Sequence, residues 1–296
     1  MEMNISRWVR IVRAQYMTLP VVLSIIGNAL AYYEGKFQWG IAVLSFIGLM
    51  LAHMSVNVIN DYFDYKSGID KVVNRTPFNG GSGSIKDGII TSKATLSVGI
   101  ILLTIAAFIG LFFMITVSWW LLPLLLVAAF FIIAYSPKIL KIPFAEWSAG
   151  IGLGALPILG CYFVQTGHYS WQALLVSIPS TILVHHLLLL NEIPDEEADR
   201  TGKRKTFPIL FGRQATMNYY LILVLLMYPF IFAGIIFHVF PIWSIITALT
   251  LPLVFTIYNQ GISRDKPYQP AQQMNVMHLH LTQLLLGLSF ILGKIW

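Results

Sequence analysis

Apolar residues along this chain gather into long runs separated by polar segments, and nine of those runs approach or reach the roughly 20 residues that cross a bilayer as a helix. They fall near 16–33, 38–60, 94–115, 119–136, 148–166, 171–191, 217–238, 241–259 and 274–295. The pattern predicts an all-α protein with nine transmembrane helices, organised as one domain over 1–296. The polar segments are uneven. Those after the second and sixth runs are long and carry most of the charge, and long connections in compact domains are usually functional. The second run closes in N-V-I-N-D-Y-F-D-Y-K-S-G-I-D (Asn57–Asp70) and the sixth in N-E-I-P-D-E-E-A-D (Asn191–Asp199). Two such endings, four spans apart, predict related halves over about 16–136 and 148–259, with 274–295 as an appended ninth helix.

Composition sharpens this picture. The 296 residues are 57% hydrophobic and only 11% charged, with a mean hydropathy of +0.73, which marks a polytopic membrane protein. The first sixteen residues carry three arginines and no continuous apolar core, so they read as a basic interfacial helix and not as a cleavable signal. One cysteine, Cys161, excludes an intrachain disulfide and a cysteine-based metal site. The net charge of +6 is spread over several short segments, not in the single stripe that nucleic-acid binding requires. It encodes topology. Seventeen of the nineteen Lys and Arg residues, from Arg7, Arg10 and Arg13 to Arg264 and Lys266, fall on one side of the nine spans, and only Lys36 and Lys294 on the other. The positive-inside rule then predicts a cytoplasmic N-terminus, a C-terminus across the membrane, and both acidic stretches facing the cytoplasm.

Those stretches hold eight of the thirteen acidic residues: Asp61, Asp64, Asp70, Glu192, Asp195, Glu196, Glu197 and Asp199. On a helix, residues three and four apart share a face, so Asn57, Asp61 and Asp64 line one side of the second span's end, with Asn60 alongside. Asn191, Asp195 and Asp199 do the same on the sixth. A single cluster of this kind also describes a solvated helix end. Two at equivalent positions on one side point to a shared site, because clustered carboxylates in an apolar protein are costly unless a cation holds them. Few, hard oxygen ligands suit Mg²⁺, which retains waters and shares its remaining positions with substrate phosphate. Between the clusters, Asn74–Gly88 is glycine-rich and suited to close backbone approach to a ligand.

N-D-Y-F-D-Y-K-S-G-I-D and N-E-I-P-D-E-E-A-D-R-T-G-K-R-K-T resemble the two aspartate-rich motifs of the UbiA superfamily of intramembrane aromatic prenyltransferases, and the spacing and nine-span plan match over nearly the whole chain. The resemblance implies nine helices around a central cavity, both motifs under a cytoplasmic cap, and a polyprenyl diphosphate donor, for example geranylgeranyl diphosphate, held through Mg²⁺. Carried over by position, Asn60, Asp61, Asp64, Asp195 and Asp199 form the metal site, with Asn57 and Asn191 as supporting ligands and Asp64 and Asp195 central to catalysis. Asp70 joins them at a spacing more like the menaquinone-type branch than the 4-hydroxybenzoate branch. Glu192 and Pro194 stand where that branch commonly has asparagine and arginine; the first adds a possible ligand and the second removes a cation.

Breaking an allylic C–O bond leaves growing charge on diphosphate, which positioned cations stabilise. Arg75, Lys138, Lys141, Lys203, Arg204 and Lys205 are the candidates for that role, with Arg75 and Lys141 first, although loops on a positive side contain such residues anyway. The allyl cation needs a dry pocket with an electron-rich face, and Tyr135 in A-Y-S-P-K is placed to supply one. His53, one turn before Asn57, lies on the same face, as a pocket residue or a buried polar partner. The expected reaction is prenyl transfer to an aromatic acceptor, 1,4-dihydroxy-2-naphthoate on the way to menaquinone, in the lipid bilayer and with no obligate protein partner. Prenyl transfer to 4-hydroxybenzoate or geranylgeranylglyceryl phosphate is the alternative within the class, and a cation-coupled transporter the alternative outside it. Transporter ion sites sit near the membrane midplane, whereas both acidic clusters here close their spans.

Overall fold

The computed structural model describes residues 5–76, 78–263, 265 and 267–296; Met1–Asn4 of the basic arm, Pro77 of the glycine-rich segment, and Arg264 and Lys266 of the charge count lie outside them. In chain order the helices are α1 (Ile5–Ile11), α2 (Thr18–Tyr33), α3 (Trp39–Ser67), α4 (Ile69–Val72), α5 (Ser92–Thr116) and α6 (Leu122–Ala134). They continue with α7 (Glu146–Gly150), α8 (Leu156–Thr166), α9 (Trp171–Thr201), α10 (Phe207–Ile236), α11 (Leu251–Ile262) and α12 (Gln269–Ile295).

Eight helical segments among the described residues are long and apolar enough to cross a membrane. The predicted fourth span is the exception: it is a 3₁₀ turn plus α6, Trp119–Ala134, shorter than the others. It is shorter because Ser118, capping the turn at its start, and the Tyr135-Ser-Pro turn at its end both interrupt the helical ladder. α7 runs into α8 through a π-helical stretch, Ile151–Ala155, and α11 is preceded by a 3₁₀ stretch, Ile242–Thr250.

Two helices overrun their apolar stretches. α3 has 29 residues and α9 has 31, so both carry their acidic motifs on continuous helix beyond the length that a bilayer requires. α3 stops where Gly68, at φ 85°, takes the left-handed conformation that terminates helices. α9 passes through Pro194, which frees the Leu190 carbonyl four residues earlier; the Tyr268 hydroxyl donates to that oxygen at 3.0 Å, so the helix continues without an orphaned acceptor.

The motifs define one end of the bundle. At the other end, Trp39, Trp119, Trp120, Trp171 and Trp296 are all exposed, the aromatic belt of a membrane interface. Large apolar side chains such as Ile101, Phe108, Phe130 and Leu226 are exposed along the flanks. The chain is a multi-pass membrane protein.

Candidate active site

α3 and α9 bring the two acidic motifs together, and loops deliver arginines between them. From the loop after α9, Arg204 donates through Nη1 to Asp199 at 2.8 Å and through Nη2 to Asp64, bridging second motif to first. From the turn before α2, Arg13 donates to Asp61 through Nε at 3.0 Å and also through Nη2, which reaches Asn60 Oδ1 at 3.2 Å. Arg13 has a left-handed backbone, φ 54° and ψ 56°, a conformation that a side chain with a Cβ adopts at a cost. Sequence reading assigned Arg13 to membrane topology alone, since its partner lies 48 residues away.

The glycine-rich segment closes over the first motif. The Ser82 amide donates to Asp61 Oδ1 at 3.2 Å. At Gly81, φ +70°, a Cβ would stand 3.0 Å from Asp61 Oδ1, so no side chain fits there without displacing the aspartate or the neighbouring Arg13. Asn79 donates to Asp195, linking this segment to the second motif. Arg75 lies folded against Gly80 and Gly83, with Nη1 3.5 Å from Asp87 and with Nε and Nη2 buried and without hydrogen-bond partners.

Other expected residues divide. Lys141 and Arg204 line, with Asp64, Lys66 and Ser136, a polar cleft of about 240 Å³. Asn60 donates to Ser136 at 2.9 Å, tying α3 to the loop after α6. Asp70 is buried on α4, and its carboxyl is pushed up to about 6 by burial and then by the charges of Asp64 and Asp61. Asn57 keeps a buried Nδ2 without a partner, and Asn191 accepts from Gln272 at 3.0 Å. Lys138 is exposed and does not line the cleft. Glu192 is buried, and neither of its carboxylate oxygens has a hydrogen-bond partner; Glu146 Oε1 accepts from the Phe207 amide at 2.5 Å. Glu146 also escaped sequence reading; the available signal was its standing among the few acids outside the motifs.

Below the cleft lies an apolar cavity of about 400 Å³, with Tyr135 and His53 among its walls. It extends from Tyr135 to Leu121 along α6, roughly 20 Å at the helical rise. Leu111 and Leu126, both lining it, are 40% and 60% exposed, so the cavity opens sideways toward lipid.

The site's donors fit a hard divalent cation in kind: oxygens only, with five carboxylates (Asp61, Asp64, Asp70, Asp195 and Asp199), three of which, Asp61, Asp64 and Asp199, pair with two guanidiniums. Among the described residues, however, no three His, Cys, Asp or Glu side chains converge as a ligand group; Arg204 bridges Asp64 and Asp199, and Arg13 holds Asp61.

Fold and site together define an intramembrane protein with a charged cleft, lined by Asp64, Lys66, Lys141 and Arg204, above a lipid-facing apolar cavity. The profile of the UbiA prenyltransferase family matches residues 20–282, and the chain belongs to that family; it is an enzyme, a prenyltransferase. A 1,4-dihydroxy-2-naphthoate octaprenyltransferase of Bacillus subtilis is 28% identical over 88% of this chain and 79% of its own length, in keeping with the menaquinone-type resemblance. Among solved structures, a UbiA homolog from Archaeoglobus fulgidus bound to DMAPP and Mg²⁺ has a TM-score of 0.66 at 14% identity, covering 94% of this chain and 99% of that one. A structure concerned with digeranylgeranylglyceryl phosphate synthase has a TM-score of 0.67 at 19% identity, covering 98% of each chain. These two likenesses establish the fold.

Proposed function

We propose that this chain transfers a polyprenyl group from a polyprenyl diphosphate to 1,4-dihydroxy-2-naphthoate, with Mg²⁺ as cofactor. The observation that carries the reading is the Arg204 bridge between Asp64 and Asp199, next to the polar cleft and above a lipid-facing apolar cavity. A polar head and a long apolar tail are what that pair of compartments accommodates. The name of the Bacillus subtilis relative supports the naphthoate acceptor.

In this reading Asn60, Asp61, Asp64, Asp195 and Asp199 hold the cation, with Asp70 near enough to join them. When bound, Mg²⁺ supplies Lewis-acid stabilisation of the charge that grows on the leaving diphosphate. Arg204 and Lys141, lining the cleft with Asp64, bind diphosphate oxygens, and Arg75 offers two unpartnered N–H groups from its glycine cradle. Asn57 and Asn191 support the ligands, and Lys138 adds positive potential at the approach. Tyr135, in the cavity wall, presents a ring face to the allyl cation, while the apolar walls exclude the water that would quench it. The allylic C–O bond breaks, a C–C bond forms to the electron-rich ring carbon, and the naphthoate carboxylate leaves as CO₂. The charge asymmetry of the loops supports a site that faces the cytoplasm.

The test is a detergent-solubilised assay with labelled geranylgeranyl diphosphate, Mg²⁺ or EDTA, and separate dihydroxynaphthoate, 4-hydroxybenzoate and geranylgeranylglyceryl phosphate acceptors. A metal-dependent product with dihydroxynaphthoate is the expected result. Product with another acceptor replaces the substrate, and no product or diphosphate binding from folded protein rejects the reading.

A further inference from the structure

Three of the aspartates that the proposed function gives to a divalent cation already hold a guanidinium through one oxygen. Asp61 Oδ1 is held by Arg13, and Asp64 Oδ1 and Asp199 Oδ1 by Arg204. Both guanidiniums are sheltered, their side chains 10% and 14% exposed. Burial alone would lower their basicity, but Asp61 raises that of Arg13, and Asp64 and Asp199 raise that of Arg204, so both stay charged. Both also come from strained backbone: Arg13 is itself left-handed, and Lys203, beside Arg204, has φ 57°. Strain of this kind persists where surrounding contacts hold it, and it clusters at switching segments.

We propose that Arg13 and Arg204 are built-in counter-cations that a divalent ion exchanges off the aspartates, freeing both guanidiniums to turn onto the diphosphate. This rests on the proposed function. The reasoning is electrostatic. A hard cation and a guanidinium compete for the same lone pairs, and two cations packed among these carboxylates repel one another in a poorly solvated cleft. The planar guanidinium fork pairs with phosphate as well as with carboxylate, so the exchange replaces one strong partner with another. Arg13 and Arg204 are thus positioning residues for the metal. Their effect on metal affinity has the opposite sign from that of a residue that merely supports the fold.

The probe is Mn²⁺ alone, with no donor, titrated into the detergent-solubilised full chain and read by electron paramagnetic resonance. Arg13→Gln and Arg204→Gln should bind Mn²⁺ more tightly than the wild type, on the order of tenfold. Arg13→Lys and Arg204→Lys, which keep the charge, should stay closer to wild type. Unchanged or weaker binding in both glutamine variants overturns the exchange. A second measurement needs no variant: labelling of wild-type arginines by phenylglyoxal, mapped by peptide mass. Mn²⁺ should raise the rate at Arg13 and Arg204 several-fold while leaving the exposed Arg200 unchanged, and an unchanged rate at both overturns the proposal. If the wild type binds Mn²⁺ but neither effect follows, the exchange alone fails; if it binds no Mn²⁺, the metal assignment fails with it.

Discussion

One side of this bundle is solid and the other hollow, although both are built mostly from apolar helices long enough to cross a membrane. On the solid side, α10, α11 and α12 bury Val224, Met227, Val254, Ile257 and Leu279 completely, and small hydroxyl residues fasten the helices. Tyr228 bonds Thr250 at 2.9 Å and His278 at 2.8 Å, Thr250 bonds Thr282 at 2.8 Å, and Ser244 bonds Ser289 at 2.8 Å. On the hollow side, between α3, α5, α6 and α8, the small residues are mostly glycine and alanine, and the hydroxyls present bond backbone carbonyls: Ser45 its own helix at Ala42, and Ser55 the α5 helix at Gly99. Gly48, Ala52, Ala106, Gly110, Ala128, Ala129 and Gly152 line the cavity and offer no side-chain hydrogen bond. Small residues in a membrane bundle therefore have two opposite uses: a hydroxyl draws helices together, whereas a bare methyl or hydrogen leaves room.

The comparison is breakable at four points. The largest effect belongs to the cleft above the hollow. Asp64→Asn or Asp195→Asn should lower kcat by on the order of 10³-fold, with the protein still monodisperse in gel filtration; full activity in both variants would remove the aspartates from the site. Next comes the hollow itself. Ala52→Phe should cost roughly tenfold in kcat/KM with a geranylgeranyl donor and less with a dimethylallyl donor, because only the longer tail needs the deep space; equal losses would mean that the cavity does not hold the tail. On the solid side, Tyr228→Phe removes two hydrogen bonds, so Tm should fall by on the order of 2–4 °C per kcal/mol lost, with kcat unchanged. A kcat that fell with Tm would show the two sides to be coupled.

The smallest effect is a pH dependence. The Asp70 carboxyl is raised to about 6 from 3.8, so its charged form disfavours the fold above pH 6, and that cost is relieved progressively as pH falls from 6 to 3.8. In EDTA, Asp70→Asn should therefore raise Tm by a few degrees at pH 8 and by progressively less as pH falls from 6 to 3.8. The reverse pattern would show Asp70 to be stabilised by a cationic partner.

Much of this was legible in the sequence. Helical periodicity put Asn57, Asp61 and Asp64 on one face, and apolar run lengths placed the spans, because both depend on neighbours within a few turns. The overrun of α3 and α9 was visible in the helical spacing of the motifs but not in hydropathy, which falls where the motifs begin although the backbone hydrogen bonding continues. Arg13 and Asn79 were missed for another reason: their partners, Asp61 and Asp195, lie 48 and 116 residues away, and only packing brings them together.

The overrun of α3 and α9 also sets the currency in which this enzyme meets its donor. The aspartates stand beyond the span that hydrocarbon needs, while the cavity below opens sideways to lipid. A donor with its tail in the leaflet and its head at the surface never has to leave the bilayer to be captured. Its arrival is then a two-dimensional search, governed by its mole fraction among the surrounding lipids. Diluting the enzyme's membranes with buffer leaves that quantity untouched, whereas diluting them with inert phospholipid slows the reaction.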